Sequence, residues 1–313
     1  MLTRLRVGGI TLALRSRRRS ALFEPSAIER SFVVRSGADI VLDLEERPVP
    51  EAPRESLLFD SGGPWRVHAR GRRYLYSVHE SGPSGPAARG LEIDRGWRRG
   101  VLFVPPSPPT HRLSSALSYP LGELLFTHRI TASGGLVAHA CGVDVGGRSV
   151  LFCGVSGAGK TTTARLWRKH RPDALVLSDD RMVVRCRRGR FWAWGTPWHG
   201  TGGFASAKGR PLGAVFFLAH APRTAIRQVD IPAAAARLFA RTFPPLWDRR
   251  AIYASLGACG RLAEEVPCYL LEFRPDRSAV AAVLETLSSG ARSGQGIFAR
   301  AGESSLAQVT HDA

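Results

Sequence analysis

Residues 154–161, with the sequence GVSGAGKT, constrain the fold of this 313-residue chain more than any other segment. They fit the pattern G-x-x-x-x-G-K-[ST] without a mismatch. The apolar run SVLFC before them predicts a buried strand, and TTTARLWRKH after them predicts a helix that ends in basic residues ahead of Pro172. A strand, a glycine-rich loop and a helix in this order predict an α/β fold.

The loop carries groups suited to binding the phosphates of a nucleotide. Its glycines allow successive backbone N–H groups to turn toward phosphate oxygens, and the start of the helix adds partial positive charge. Lys160 would reach the β- and γ-phosphates, and the Thr161 hydroxyl would ligate Mg²⁺. The sequence therefore predicts ATP and Mg²⁺ as cofactors. The predicted nucleotide-binding residues are Gly154, Ser156, Gly157, Ala158, Gly159, Lys160, Thr161 and Thr162.

A pair of carboxylates, Asp179 and Asp180, comes directly after the apolar segment ALVLS, which predicts the next strand. Because the carboxyl ends of parallel strands meet at one edge of a sheet, the pair is expected at the edge that carries the loop. One carboxylate can hold Mg²⁺, and the other can take the proton from an attacking hydroxyl. The alternative is that both cap the turn that follows the strand.

The order of these motifs resembles the HPr kinase/phosphorylase family. That family has a His-Gly-x-x-x-Asp segment, then a G-x-S-G-x-G-K-[ST] loop, then paired aspartates, and this chain has His139, Asp144, GVSGAGKT and SDD in that order. ATP-dependent phosphoenolpyruvate carboxykinases share the loop and the aspartate pair. The resemblance covers roughly residues 135–200, with a looser α/β continuation to about 287. It implies a kinase domain of this type.

The resemblance also implies roles for individual residues. One of the two aspartates is the general base and the other serves the metal; Asp179 is favoured as the base, which leaves Thr161 and Asp180 for Mg²⁺. Lys160 counts among the catalytic residues, and His139 is expected near the transferred phosphate. A single histidine on an apolar strand is as often a core residue, so both interpretations of His139 remain open.

Other segments depart from the family pattern. Ala140 and Cys141 follow His139 where the family usually has Gly-Val, and the signature of true HPr kinases after the aspartates is absent. In its place stands GTPWHGTGG, residues 195–203, which predicts either a substrate loop or a tight structural turn. The predicted substrate contacts, drawn from this loop and the residues just after it, are His199, Gly200 and Lys208.

The chain divides into three predicted regions. Residues 1–134 form a β-rich domain with a helical connector, residues 135–289 the kinase-like domain, and residues 290–313 a loose, disordered tail. The first region does not resemble the N-terminal domain of HPr kinases, so HPr is a poor guess for the substrate. The arrangement looks more like the divergent HPr-kinase-like proteins found beside peptide-modification genes, some of which phosphorylate a serine of a precursor peptide. A hydroxyl of a peptide or protein is therefore the expected acceptor.

Composition bears on partners and location. The net charge of +18 invites a nucleic-acid interpretation, but only three of the 44 basic residues are lysine, a skew that fits codon bias better than a selected basic face, so nucleic acid is not the favoured partner. The five cysteines lack metal-ligand spacing and suit a reducing cytoplasm. No apolar run is long enough for a membrane span. Both a monomer and a homo-oligomer are compatible with the sequence.

The leading hypothesis is an ATP- and Mg²⁺-dependent kinase that acts on a hydroxyl, most simply a serine. A second enzymatic possibility is carboxykinase-like phosphoryl transfer on a small acid. A third is a regulatory protein that binds a nucleotide or nucleic acid with little catalysis, which the positive charge favours and the set Lys160, Thr161, Asp179 and Asp180 opposes.

Overall fold

A computed structural model describes residues 2–16, 25–80, 82, 85–106 and 117–292. Two compact units are present in these residues. The first contains the described chain up to Val137 together with Thr196–Trp198 and Phe243–Ser255. The second contains Ala138–Gly195, His199–Thr242 and residues 256–292. Most of the segment predicted to be a loose tail, residues 293–313, lies outside the described residues.

The first unit is built on an eight-stranded sheet. Its order is β1-β2-β3-β8-β7-β6-β5-β4, with β3 parallel to β2 and β8 and the other neighbours antiparallel. The strands are β1 (Leu2–Val7), β2 (Ile10–Ser16), β3 (Ile40–Glu46), β4 (Leu57–Asp60), β5 (Trp65–Arg70), β6 (Arg73–Val78), β7 (Arg89–Asp94) and β8 (Arg99–Val104), and short 3-10 helices occupy Glu29–Phe32 and Arg54–Ser56.

Two sequence expectations in the first unit change. The opening segment MLTRLRVGGITLALRSRRRS predicts one β-strand with a basic flank. The structure has a hairpin there, because Gly8 and Gly9 both have positive φ, at 58° and 77°, and so form a tight reversal between β1 and β2. The helix-like pattern of the connector runs from Ser114 to about Ile130, and Ser114 lies outside the described residues. In the described part the connector forms α1 (Leu121–Ala132). Pro120 precedes its first turn, where a missing backbone N–H does no harm.

A buried aromatic cluster fills the first unit. The Tyr76 hydroxyl and Nδ1 of His128 are 3.0 Å apart, and the rings of Trp97 and Trp247 pack against the His128 ring at centroid distances of 4.6 and 5.0 Å. Burial lowers the pKa of His128 to about 3. This histidine is therefore a neutral core residue at ordinary pH.

The second unit is a mixed α/β structure, as the sequence predicts. The sheet order is β10-β9-β12-β13-β14-β16-β15; β11 pairs with β9, and β10 also pairs with β14. The strands are β9 (Leu136–Val145), β10 (Arg148–Cys153), β11 (Leu175–Ser178), β12 (Arg181–Arg187), β13 (Arg190–Trp194), β14 (Gly209–His220), β15 (Ala225–Gln228) and β16 (Cys268–Phe273). The helices are α2 (Lys160–His170), α3 (Ile231–Phe239), the part of α4 (Arg249–Glu265) from Leu256 onward, and α5 (Arg277–Arg292).

Strand direction decides which strand ends meet. β9 is antiparallel to both β10 and β11, so β10 and β11 run the same way, and β14 and β16 run parallel with β10. The carboxyl ends of these four strands therefore lie at one edge of the sheet. A buried cluster that includes Phe152, Trp167, Phe216 and Val283 packs α2 and α5 onto this sheet.

Several boundaries in the second unit differ from the sequence prediction. The segments PAAAARLFARTF and LWDRRAIYASL predict two helices. The first helix, α3, ends at Phe239, before the end of its segment, and the second, α4, continues to Glu265, well beyond its segment. The sequence pattern did not predict β15. The α5 helix runs through residue 292, so residues 290–292 are helical rather than part of a loose tail. In the described residues, no helix is both long enough and apolar enough to cross a membrane.

Candidate functional site

The glycine-rich loop lies between the end of β10 at Cys153 and the start of α2 at Lys160. Gly159 precedes the helix with φ +100°, and a Cβ there would stand 2.8 Å from the Phe273 ring. Both the backbone conformation and the close contact therefore require glycine at this position. Cys153 pairs with Phe217 of β14, which anchors the loop at the shared strand edge.

Backbone donors collect at the start of α2. Within the described part of the chain, the N–H groups of Gly157, Gly159, Lys160 and Thr161 donate no hydrogen bond to another residue, and no side chain caps the helix. The helical ladder begins only with Thr163, whose N–H donates to Gly159 O at 2.8 Å. Unsatisfied donors at a helix N-terminus suit an anion. Of the remaining predicted loop residues, Ser156 and Thr162 are exposed, Ala158 is half-buried and Gly154 is buried.

Lys160 is buried beneath the loop, with 6% of its surface exposed. Its Nζ donates to the carbonyl oxygens of Gly154 and Val155, each at 3.0 Å. Desolvation lowers the pKa of Lys160, and the nearby charge of Asp180 opposes that effect. The ammonium group is thus held at the loop by neutral carbonyls, which a stronger acceptor could replace.

Asp179 is fully buried and accepts hydrogen bonds at both carboxylate oxygens. Oδ1 accepts from the Gly200 N–H at 2.9 Å, and Oδ2 accepts from the Gly202 N–H at 2.8 Å and from the Thr161 hydroxyl at 3.0 Å. The loop around residues 200–202 approaches so closely that a Cβ on Gly202 would lie 2.6 Å from Oδ2. The hydrogen bond from Thr161 joins the end of β11, which Asp179 follows, to the first turn of α2.

Asp180 has a different environment, because its side chain is 26% exposed. Oδ1 lies 2.8 Å from His139 Nε2, and Oδ2 accepts from Arg181 at 2.6 Å. Desolvation raises the pKa of Asp180, but the hydrogen bond from His139 and the charges of Arg181, His139 and Lys160 outweigh it, so the pKa lies below its ordinary value. Asp180 is therefore an ionised carboxylate that solvent can reach.

His139 is held at the site by two backbone hydrogen bonds and one side-chain contact. Its N–H donates to Arg241 O at 2.8 Å, and its carbonyl accepts from the Gly154 N–H at 3.3 Å. Its ring meets Asp180, so it belongs to the polar cluster and is not enclosed in apolar core. Asp144 lies at the other end of β9, where it accepts from Arg210 Nε at 2.6 Å and from the Gly147 N–H at 2.9 Å.

The three predicted substrate contacts lie in different settings. Gly200 holds Asp179 through its N–H, whereas His199 is exposed and its Nδ1 donates to the Gly200 carbonyl at 2.8 Å. Lys208 is exposed, and its carbonyl accepts from the Gly195 N–H at 3.3 Å. Among the described residues, the Lys208 ammonium makes no hydrogen bond or ion pair with the site carboxylates.

Sequence reasoning missed His220, at the end of β14. Its Nε2 donates to the Gly157 carbonyl at 2.9 Å, and its ring stacks on Phe273 at a centroid distance of 5.8 Å. The available signal was its position at the end of the apolar run AVFFLAH. That signal becomes specific only once β14 is known to lie beside β10.

The donor set suits a hard cation better than a transition metal. In the described residues, no group of three or more His, Cys, Asp and Glu side chains could by itself hold a metal ion. The Thr161 hydroxyl and the Asp179 carboxylate are adjacent oxygen donors. Mg²⁺ is bound in this manner in nucleotide sites, with few protein oxygens and the substrate phosphates as its other ligands.

Comparisons with known proteins give no sequence match and a weak structural similarity. No protein-family model matches the sequence, and no curated protein sequence matches it. Among solved structures, the chain is similar to one described as the Hpr(Ser) kinase/phosphatase from Coxiella burnetii, with 14% sequence identity and a TM-score of 0.30. The similarity covers 50% of this chain and 91% of that chain. A TM-score that low carries no functional argument.

Proposed function

We propose that the chain is an ATP- and Mg²⁺-dependent kinase that transfers the γ-phosphoryl group to a hydroxyl of a peptide or protein, most simply a serine. One observation carries the proposal: the Thr161 hydroxyl at the start of α2 donates to Asp179, directly beside the Asp180–His139 pair. The groups proposed to bind phosphate, to bind the metal and to accept a proton are thus linked by a few direct contacts.

The loop fits the phosphates of a nucleotide. Its unsatisfied N–H groups and the N-terminus of α2 favour an anion, and Lys160 can exchange its two carbonyl contacts for a charged phosphate oxygen. Thr161 and Asp179 would face the magnesium ion. Bound ATP with Mg²⁺ would supply the phosphoryl group and neutralise negative charge on it.

The roles of the two aspartates are proposed to be the opposite of those expected from the sequence: Asp179 serves the metal and Asp180 is the base. Asp179 is fully buried, and in the described part of the chain its carboxylate accepts hydrogen bonds from Gly200, Gly202 and Thr161, which supports a metal role beside Thr161. Asp180 is accessible, so it is the carboxylate that an acceptor hydroxyl can reach. Asp180 accepts the hydroxyl proton, while His139 and Arg181 hold its carboxylate in position.

The acceptor chain would approach the site on its solvent-accessible side. His199 is exposed in the loop whose glycines hold Asp179, and we propose it as a contact for the acceptor chain. We also propose the first unit as a candidate region for recognising the peptide or protein. Lys208 remains a prediction without a supporting contact.

The test is incubation of the full chain with γ-³²P-ATP and Mg²⁺, together with lysate or peptides from the source organism. A labelled, acid-stable product is expected with the wild type. The Asp180→Asn variant should lose label transfer while retaining Mg²⁺-dependent ATP binding, and Lys160→Ala should lose binding as well. Asp173→Asn is the matched control, because this exposed carboxylate pairs with Arg171 away from the site.

Two outcomes would count against the proposal. Unchanged transfer by Asp180→Asn would remove Asp180 as the base. Absence of Mg²⁺-dependent ATP binding by the wild-type chain, measured by calorimetry, would reject the kinase assignment as a whole, whatever acceptor was supplied.

A further inference from the structure

Two aromatic rings lie beside the glycine-rich loop, at Gly157 and Gly159, and the proposed mechanism gives them no role. His220 ends β14, Phe273 ends β16, and the two residues are direct partners in the parallel register of those strands. A Cβ on Gly159 would lie within 3.6 Å of both rings. We propose that the base of the bound nucleotide stacks on the His220 ring, which Phe273 supports from behind, an inference that rests on the proposed function.

The His220 ring is held in place from two sides. Because a carbonyl can only accept, Nε2 of His220 carries the proton that it donates to Gly157 O at 2.9 Å. The ring planes of His220 and Phe273 differ by 25°, so the rings are stacked. Phe273 is 1% exposed, whereas His220 is exposed. The imidazole is therefore held beside the loop by a hydrogen bond and a ring contact, and His220 keeps solvent-exposed surface.

Strand order gives the direction in which a nucleotide would lie. Going across the sheet, β11 pairs with β9, β9 with β10, β10 with β14, and β14 with β16. Asp179 and Asp180 follow β11, the loop follows β10, and the two rings end β14 and β16. A triphosphate that lies along the loop with its reacting end at the carboxylates thus directs its nucleoside end toward the rings.

The distance also suits this arrangement. Adjacent strands are about 4.8 Å apart, so β11 and β14 are separated by roughly 14 Å. An extended nucleoside triphosphate can span such a distance between its terminal phosphate and its base. Stacking on an aromatic ring uses the π-face that every base has, so the His220 ring should bind purine nucleotides without strong choice between them.

Calorimetric titration of the full chain with Mg²⁺–ATP and with Mg²⁺–tripolyphosphate separates the base from the phosphates. The wild type should bind ATP more tightly than tripolyphosphate. His220→Gln keeps an N–H donor for Gly157 but loses the ring, so its ATP affinity should fall roughly 5-fold or more. His220→Phe keeps a ring and loses the donor, so its ATP affinity should stay near that of the wild type. Tripolyphosphate affinity should be the same in all three proteins.

Each other result would overturn the inference in a distinguishable way. Equal weakening of both ligands by His220→Gln and His220→Phe would make His220 a residue that only positions the loop. Equal ATP affinity in all three proteins, or equal affinity of the wild type for the two ligands, would show that no base stacks here while leaving the phosphate loop intact. A wild type that binds neither ligand would reject the proposed function itself.

Discussion

Replacing Asp179 by asparagine tests whether the buried carboxylate organises the site. The two backbone donors, Gly200 N–H and Gly202 N–H, point at different oxygens of Asp179. An asparagine amide has one oxygen and one NH₂ group, so either orientation sets the NH₂ against one of these donors. One of these part-buried N–H groups thereby loses its acceptor, whichever way the amide is turned.

The cost can be built from these contacts. An orphaned buried donor costs about 1–3 kcal/mol, and the remaining bonds lose the extra strength of a charged acceptor, about 1–2 kcal/mol more. We therefore expect Asp179→Asn to lower the free energy of unfolding of the second unit by about 2–5 kcal/mol. Asp180→Asn should cost much less, because its side chain is partly exposed and water can replace the lost contacts.

The assay is urea denaturation combined with hydrogen exchange. The amides of Gly200 and Gly202 should exchange much faster in Asp179→Asn than in the wild type, and the unfolding midpoint should shift to lower urea. Wild-type exchange at both glycines would refute the reasoning, because it would mean that the carboxylate charge is not what holds residues 200–202 against the strand end.

Two further predictions follow from close contacts and from burial. Gly202→Ala should weaken Mg²⁺-dependent ATP binding at least tenfold, because its Cβ would lie only 2.6 Å from Asp179 Oδ2. The control is Gly203→Ala, whose Cβ would have nothing within 4 Å; it should lower stability but leave Mg²⁺-dependent ATP binding, measured by calorimetry, unchanged. The pKa of His128 is about 3 when folded and near 6.5 when unfolded, so the unfolded chain binds the extra proton and stability should fall as the pH drops below about 6.5. Urea midpoints at pH 7.5 and pH 5 measure this, and His128→Asn, which lacks a group that titrates in this range, should flatten the difference.

The sequence anticipated the local parts of the site well. Consecutive residues define the strand–loop–helix around 149–170, since a buried apolar run, glycines and a helical pattern that ends ahead of Pro172 are all short-range signals. The same applies to Asp179 and Asp180 at a strand end. The hairpin at Gly8 and Gly9 was misjudged, because the apolar pattern continues through the turn and only the positive φ of both glycines reveals the reversal.

The difference between neighbouring aspartates could not be predicted. Asp179 and Asp180 are identical in type and adjacent in sequence, yet one is enclosed by Gly200 and Gly202 and the other is open beside His139. That contrast depends on a loop about 20 residues further along the chain folding back over one carboxylate. No local pattern records which carboxylate the loop will cover.

By itself, the sequence determined that a glycine-rich loop joins a buried strand to a helix and that two carboxylates follow the next strand, because propensity, periodicity and backbone freedom act over a few residues. Tertiary structure alone decided that β14 and β16 bring His220 and Phe273 beside that loop, and that Asp179 is buried while Asp180 stays accessible. The physical reason is that these contacts join residues far apart in the chain, and strand order and direction, which follow from packing the whole sheet, determine which of them meet.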